Sequence, residues 1–145
     1  MRAALAEDEG STLPLVAFFL FLGLLIVLLV TAATSLYLEK KRLFTVADGA
    51  ALVGAESFDL ESVRVGPAGP RPVLDDAGVR AAVAEYLAGA PAPDVDGLTV
   101  ERAFTADGLS ATVTVSSYWR PPVVTLFVPD GIRVEATATA RSVFG

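Results

Sequence analysis

Three patterns of apolar and polar positions follow one another along the chain. From Gly10 to Leu38 there is no charged side chain, and the run from Leu13 to Val30 within it is almost wholly apolar. A helix needs about 20 apolar residues to cross a hydrocarbon core of ~30 Å, so this stretch predicts a membrane-spanning helix. Pro14 falls in its first turn, where a missing N–H costs little. Thr31, Thr34 and Ser35 can return their hydroxyls to backbone carbonyls, and Tyr37 stands where interfacial aromatics belong. Past the apolar run, Leu36, Leu43, Ala47, Ala50 and Gly54 share one stripe at helical spacing. The helix is therefore expected to run from about Thr12 to about Ala55, half in lipid and half outside. The small residues of the stripe let another helix or a sheet approach closely, and Glu39 can pair with Arg42 across a turn.

Residues 57–145 show the third pattern, that of a small folded domain. Glu61–Val65 is a short strand candidate, and the prolines and glycines of Gly66–Pro72 predict an irregular loop. Asp75 or Asp76 can cap a helix running to about Leu87, with Val79, Ala82, Val83, Tyr86 and Leu87 on one face. Gly89–Gly97 makes a second loop. Leu98–Phe104 and Leu109–Ser117 flank the turn signal Ala106-Asp107-Gly108 and predict a hairpin. Ile132–Val143 alternates again after the interruption at Pro121 and Pro122 and the turn at Pro129–Gly131. Alternation of this kind implies an antiparallel sheet covered on one face, with the amphipathic helix and the outer half of the N-terminal helix to cover it. The expected class is α+β: a long N-terminal transmembrane helix, then a small antiparallel sheet domain with one packed helix. Its divisions are a leader at 1–10, the helix with its extension at 11–56, and the domain at 57–145.

Composition narrows what such a molecule can do. The chain has no Cys and no His, which excludes disulfides, thiolate nucleophiles and the common zinc ligand sets. Its net charge of −6 argues against nucleic acid as a partner. Lys40, Lys41 and Arg42 do cluster, but at the end of the apolar run, where they read with Tyr37 as a membrane-interface anchor. By the positive-inside tendency this cluster would hold the C-terminal part in the cytoplasm, so charge alone leaves orientation open. A cleaved signal sequence has a shorter apolar region and a basic start; here Arg2 is followed by Glu7, Asp8 and Glu9. Asp75-Asp76 and Asp94/Asp96 are carboxylate pairs without the further oxygen ligands of a Ca²⁺ loop. There is no Gly-x-Ser-x-Gly elbow and no Walker loop. No enzyme activity, cofactor, metal or small-molecule substrate is expected. Tyr118-Trp119 reads as a strand end over the sheet edge, or else as a contact patch for a subunit or the membrane interface. Asp48 reads as a solvated acid, or else as a charge partner for a neighbouring subunit.

Taken together, Glu9-Gly-Ser-Thr-Leu-Pro-Leu15, the apolar run, Leu36-Tyr-Leu-Glu-Lys-Lys-Arg-Leu43 and Val46-Ala-Asp-Gly-Ala-Ala-Leu-Val-Gly-Ala55 resemble the N-terminal region of TadE/TadG-like proteins of the tight-adherence (Flp) pilus system. Gly10, Tyr37, Lys40, Lys41, Arg42, Asp48, Ala50, Ala51 and Leu52 match that pattern. The resemblance covers residues 9 to 55. It implies a pilin- or pseudopilin-like structural or assembly component of a pilus or secretion apparatus. Such a protein would cross the inner (cytoplasmic) membrane once, with its C-terminal domain extracytoplasmic. Its partners would be the lipid bilayer and other pilus or pilus-assembly subunits. On the reading of the residues themselves, the candidate subunit contacts are Leu36, Leu43, Ala47, Asp48, Ala50, Gly54, Tyr118 and Trp119. The resemblance also points to a processing site between Gly10 and Ser11, although Leu15 stands at the fifth mature position, where prepilins often carry Glu. The remaining readings are a membrane-tethered binding or sensor module, marked by a ligand pocket near Tyr118-Trp119, and a signal-anchored enzyme, marked by polar groups converging in a cleft.

Overall fold

Helix α1 spans Thr12–Ala55, 44 residues, in a computed structural model that describes residues 12–58, 63–67, 69–71, 73–89 and 95–142. Gly10 and Ser11 lie outside the described residues, as do Glu61 and Ser62 of the expected first strand. The chain forms two compact units that divide after Ser35.

In the first unit the helix presents almost every large apolar side chain from Leu13 to Val30 to its surroundings. Residues 12–35 extend about 36 Å at the helical rise, more than the ~30 Å of a hydrocarbon core. The Thr31 hydroxyl donates to the carbonyl of Val27 at 2.8 Å and that of Thr34 to Val30 at 2.9 Å. These polar groups are therefore satisfied within the helix, as a span in lipid requires.

The second unit begins at Leu36 and so takes in the outer part of α1. It adds β1 (Arg64–Gly66), β2 (Gly69–Arg71), α2 (Asp76–Gly89), β3 (Thr99–Thr105), β4 (Ser110–Trp119), α3 (Pro122–Thr125) and β5 (Ile132–Arg141). Strands β3, β4 and β5 form an antiparallel sheet in that order, with β4 in the centre. Register is set by alternation. Ala111, Val113 and Val115 of β4 stand opposite Ala140, Ala138 and Ala136 of β5, which puts their side chains on one face. The side chains of Val113, Val115 and Ala111 are fully buried. Two expectations are corrected here. Gly66–Pro72 is not wholly irregular: β1 and β2 pair as a small hairpin, with Val65 opposite Pro70. The missing N–H of Pro70 is tolerated because a two-stranded ribbon leaves one edge of each strand open, and Gly69 opens β2 at φ +98°, a conformation glycine adopts without strain. After Pro121 the chain does not simply break but makes the short helix α3, with proline in its first turn.

Helix α2 starts where Asp75 caps it. Its Oδ2 accepts the backbone N–H groups of Ala77 at 3.1 Å and Gly78 at 3.3 Å. The next residue ties the helix to the sheet: Asp76 Oδ1 accepts the N–H of Thr105 at 2.9 Å. Replacing Asp75 by Ala leaves two first-turn donors without this partner, and we expect a stability loss of about 1 kcal/mol in chemical unfolding.

Small residues bring the layers together. Leu43, Ala47, Ala50, Ala51 and Ala55 of α1 are buried with Val79 and Val83 of α2. At Gly54 the two helices and the sheet meet. A Cβ there would stand 3.2 Å from Ala111 Cβ, 3.2 Å from Val79 Cγ1 and 3.5 Å from Val83 Cγ2. The stripe predicted from helical spacing therefore closes on the chain's own sheet and on α2. Leu43, Ala47, Ala50 and Gly54, expected as subunit contacts, are buried within this unit, Gly54 against Ala111 of β4 and Val79 and Val83 of α2.

Candidate interaction surfaces

With the stripe buried, the remaining chemistry of the second unit falls in three places. The outer sheet face carries a polar lattice. The hydroxyls of Thr112 and Thr139 pair at 3.0 Å and those of Thr114 and Thr137 at 2.9 Å. The Ser116 hydroxyl donates to Glu101 Oε1 at 2.6 Å. Arg133 reaches the same oxygen at 2.7 Å and Glu135 at 2.9 Å. Glu101 gets there because register shifts by one residue between Val100 and Arg102, and such a bulge re-aims a side chain. The Ser116 hydrogen bond first, and Arg133 second, hold the Glu101 carboxyl below the usual carboxylate range. Asp107 is lowered too, by the backbone N–H groups of Leu109 and Ser110 that it accepts across the β3–β4 turn.

A folded pKa below the unfolded one means stability that is complete above the unfolded value and lost as pH falls through the folded one. Acid should thus weaken this unit below about pH 4, where unfolded carboxylates protonate. Glu101→Gln removes one of the groups responsible. We expect its melting temperature to fall less than that of the parent as the pH is taken from about 5 to about 2. An unchanged acid limb would remove Glu101 from the account.

A groove between α2 and β3 is lined by Arg80, Val83, Ala84, Glu101, Arg102 and Phe104 among others. It sets one carboxylate among two guanidinium groups, with no hydroxyl nucleophile in the lining. Among the described residues no group of three or more Asp, Glu, His or Cys side chains could hold a metal ion.

The third place is the end of the unit where the chain enters from the apolar run. Tyr37, Lys40, Lys41 and Arg42 are all exposed there. Tyr37, Lys40, Lys41 and Phe44 line a second groove against Glu135, Ala136 and Thr137 of β5. Glu39 faces the sheet and accepts from the Ser117 hydroxyl at 3.5 Å. Leu36 is half-buried and Asp48 exposed. The expected aromatic pair splits. Tyr118 is 37% exposed, under the Arg120 guanidinium at 5.6 Å from its ring. Trp119 is only 7% exposed, because alternation turns it to the buried face opposite Ile132. Sequence reasoning passed over the connection between β4 and β5, where Val123, Leu126, Phe127 and Val128 are exposed. The available signal was an apolar run lying between Pro122 and Pro129.

Residues 10–57 match the family model described as putative Flp pilus-assembly TadE/G-like. The matched segment is about a third of the 145 residues and takes in the whole of α1. It coincides closely with the segment that carried the resemblance in the sequence. No curated protein and no solved structure matches the chain. Residues 10–57 are thus similar to a pilus-assembly family, and among the described residues α1 is the one helix long and apolar enough to cross a membrane.

Proposed function

We propose that this chain is a non-enzymatic structural or assembly component of a Tad/Flp-type pilus or secretion apparatus, minor-pilin- or pseudopilin-like. It is held once in the inner membrane with its C-terminal unit on the extracytoplasmic side. The observation that carries the reading is the TadE/G-like match over residues 10–57, joined to an α1 whose apolar half is left uncovered by the described residues. Such a helix is stored in lipid and can pass into a bundle of like helices, where packing replaces lipid contacts at little cost. The cluster Lys40, Lys41 and Arg42 runs against the positive-inside tendency. The family pattern keeps basic residues at this place, and we weigh it above the charge count. Subunit contacts fall to the residues left exposed or half-exposed, Leu36, Asp48 and Tyr118, with Tyr37 and the basic cluster at the lipid headgroups.

Deletion of the gene is expected to impair pilus formation and surface adhesion, with both restored by the full-length chain. Piliation and adhesion that continue unchanged in the deletion strain would overturn the proposal.

A further inference from the structure

Strand β4 lies alongside the outer part of α1 and runs the opposite way. Gly54 approaches Ala111 at one end, and Glu39 meets Ser117 at the other. The helical rise between Glu39 and Gly54 is about 22 Å, and the strand rise between Ala111 and Ser117 is about 20 Å, so the two elements keep pace. Beyond Ser117 only Tyr118 and Trp119 remain before the strand ends. The β4–β5 connection, residues 120–131, therefore emerges at the end of the unit where Leu36 and Tyr37 stand. If α1 spans the bilayer, that end is the headgroup region of the leaflet from which the helix leaves.

The connection is built for such a place. Leu126 is 79% and Phe127 83% exposed, with Val123 and Val128 beside them. No ionisable residue occurs between Arg120 and Asp130. The backbone closes on itself. The N–H groups of Val124 and Thr125 both donate to Pro121 O at 3.0 Å, those of Phe127 and Val128 to Val124 O, and that of Gly131 to Val128 O. The Thr125 hydroxyl donates to Pro122 O at 2.9 Å. Pro121, Pro122 and Pro129 have no N–H to satisfy. With five of its N–H groups so paired, the connection can enter a medium poor in water at reduced cost. Arg120 at its base, over the Tyr118 ring, joins Lys40 and Lys41 as cationic groups suited to lipid phosphates.

We propose that the β4–β5 connection is a second membrane foot, with Leu126 and Phe127 inserted among the lipid headgroups and upper acyl chains. The proposal rests on the reading of α1 as a span. The test uses the full-length chain in vesicles of phosphatidylethanolamine and phosphatidylglycerol. Because the chain has no Cys, single cysteines can carry an environment-sensitive fluorophore in Phe127→Cys, Ala106→Cys and Leu25→Cys. The label at position 127 should emit to the blue of the one at 106. It should lose most of its emission to a lipid-borne nitroxide, at every protein-to-lipid ratio. The label at 25 reports the span independently. Quenching at 25 with a water-like, unquenched signal at 127 overturns the foot alone. A blue shift at 127 that disappears as protein is diluted in lipid assigns the patch to another subunit and overturns it as well. An unquenched label at 25 removes the span, and the foot with it.

Discussion

Gly54→Leu should unfold the Leu36–Gly145 unit or leave it only marginally stable. At this position α1, α2 and β4 approach within van der Waals contact, with Ala111 and Val79 each 3.2 Å from where a Cβ would be placed. Leucine adds three further carbons into that junction. Overpacking of this kind costs about 1–3 kcal/mol and sometimes more, against the ~5–15 kcal/mol that holds a typical domain together. We expect a melting temperature lower by on the order of 10–20 °C and rapid proteolysis of residues beyond the membrane. Gly54→Ala is the informative control. It relieves the roughly 0.5–1 kcal/mol cost of glycine in a helix while tightening the same contacts, so its net effect should be small. A Gly54→Leu protein as stable as the parent would mean that α1 does not pack on the sheet as described.

Leu25→Arg combined with Leu28→Arg should prevent stable membrane integration. Both leucines are exposed along the apolar run, so lipid is the medium each meets in a span. Exchanging Leu for Arg near a helix centre costs about 3–4 kcal/mol, or about 6–8 kcal/mol for the pair, and snorkelling recovers little so far from either end. The expected result is a shift of the protein from the carbonate-resistant membrane fraction to the soluble or degraded fraction. The folded C-terminal unit should be less affected, because neither residue belongs to it. Retention of the double variant in carbonate-washed membranes would contradict the assignment of residues 12–35 as the span.

The apolar run, the helix end near Ala55, the Asp75 cap and the sheet were legible because each follows from a local rule. Uncharged length, helical spacing, an acid before an apolar face and two-residue alternation all act over a few neighbours. What the small-residue stripe touches is not local. Ala47, Ala50 and Gly54 announce a close approach, but the spacing is the same whether the partner is another subunit or Ala111 of the same chain. The fate of Trp119 was hidden for a related reason: its face depends on β4 holding alternation two residues past the expected strand end. The β1–β2 hairpin was obscured by prolines and glycines, which discourage long ladders yet permit a three-residue pair around Gly69. The ion network at Glu101 depends on a register shift in β3 that no residue in the strand advertises.

Impermeant maleimide labelling of Ala106→Cys in spheroplasts tests the central claim most directly, since Ala106 is exposed in the β3–β4 turn and no native thiol competes. Labelling of intact spheroplasts, unchanged on permeabilisation, is the result expected of a span that carries its folded unit outside the cytoplasm. Labelling that begins only after permeabilisation would put the unit in the cytoplasm and contradict it.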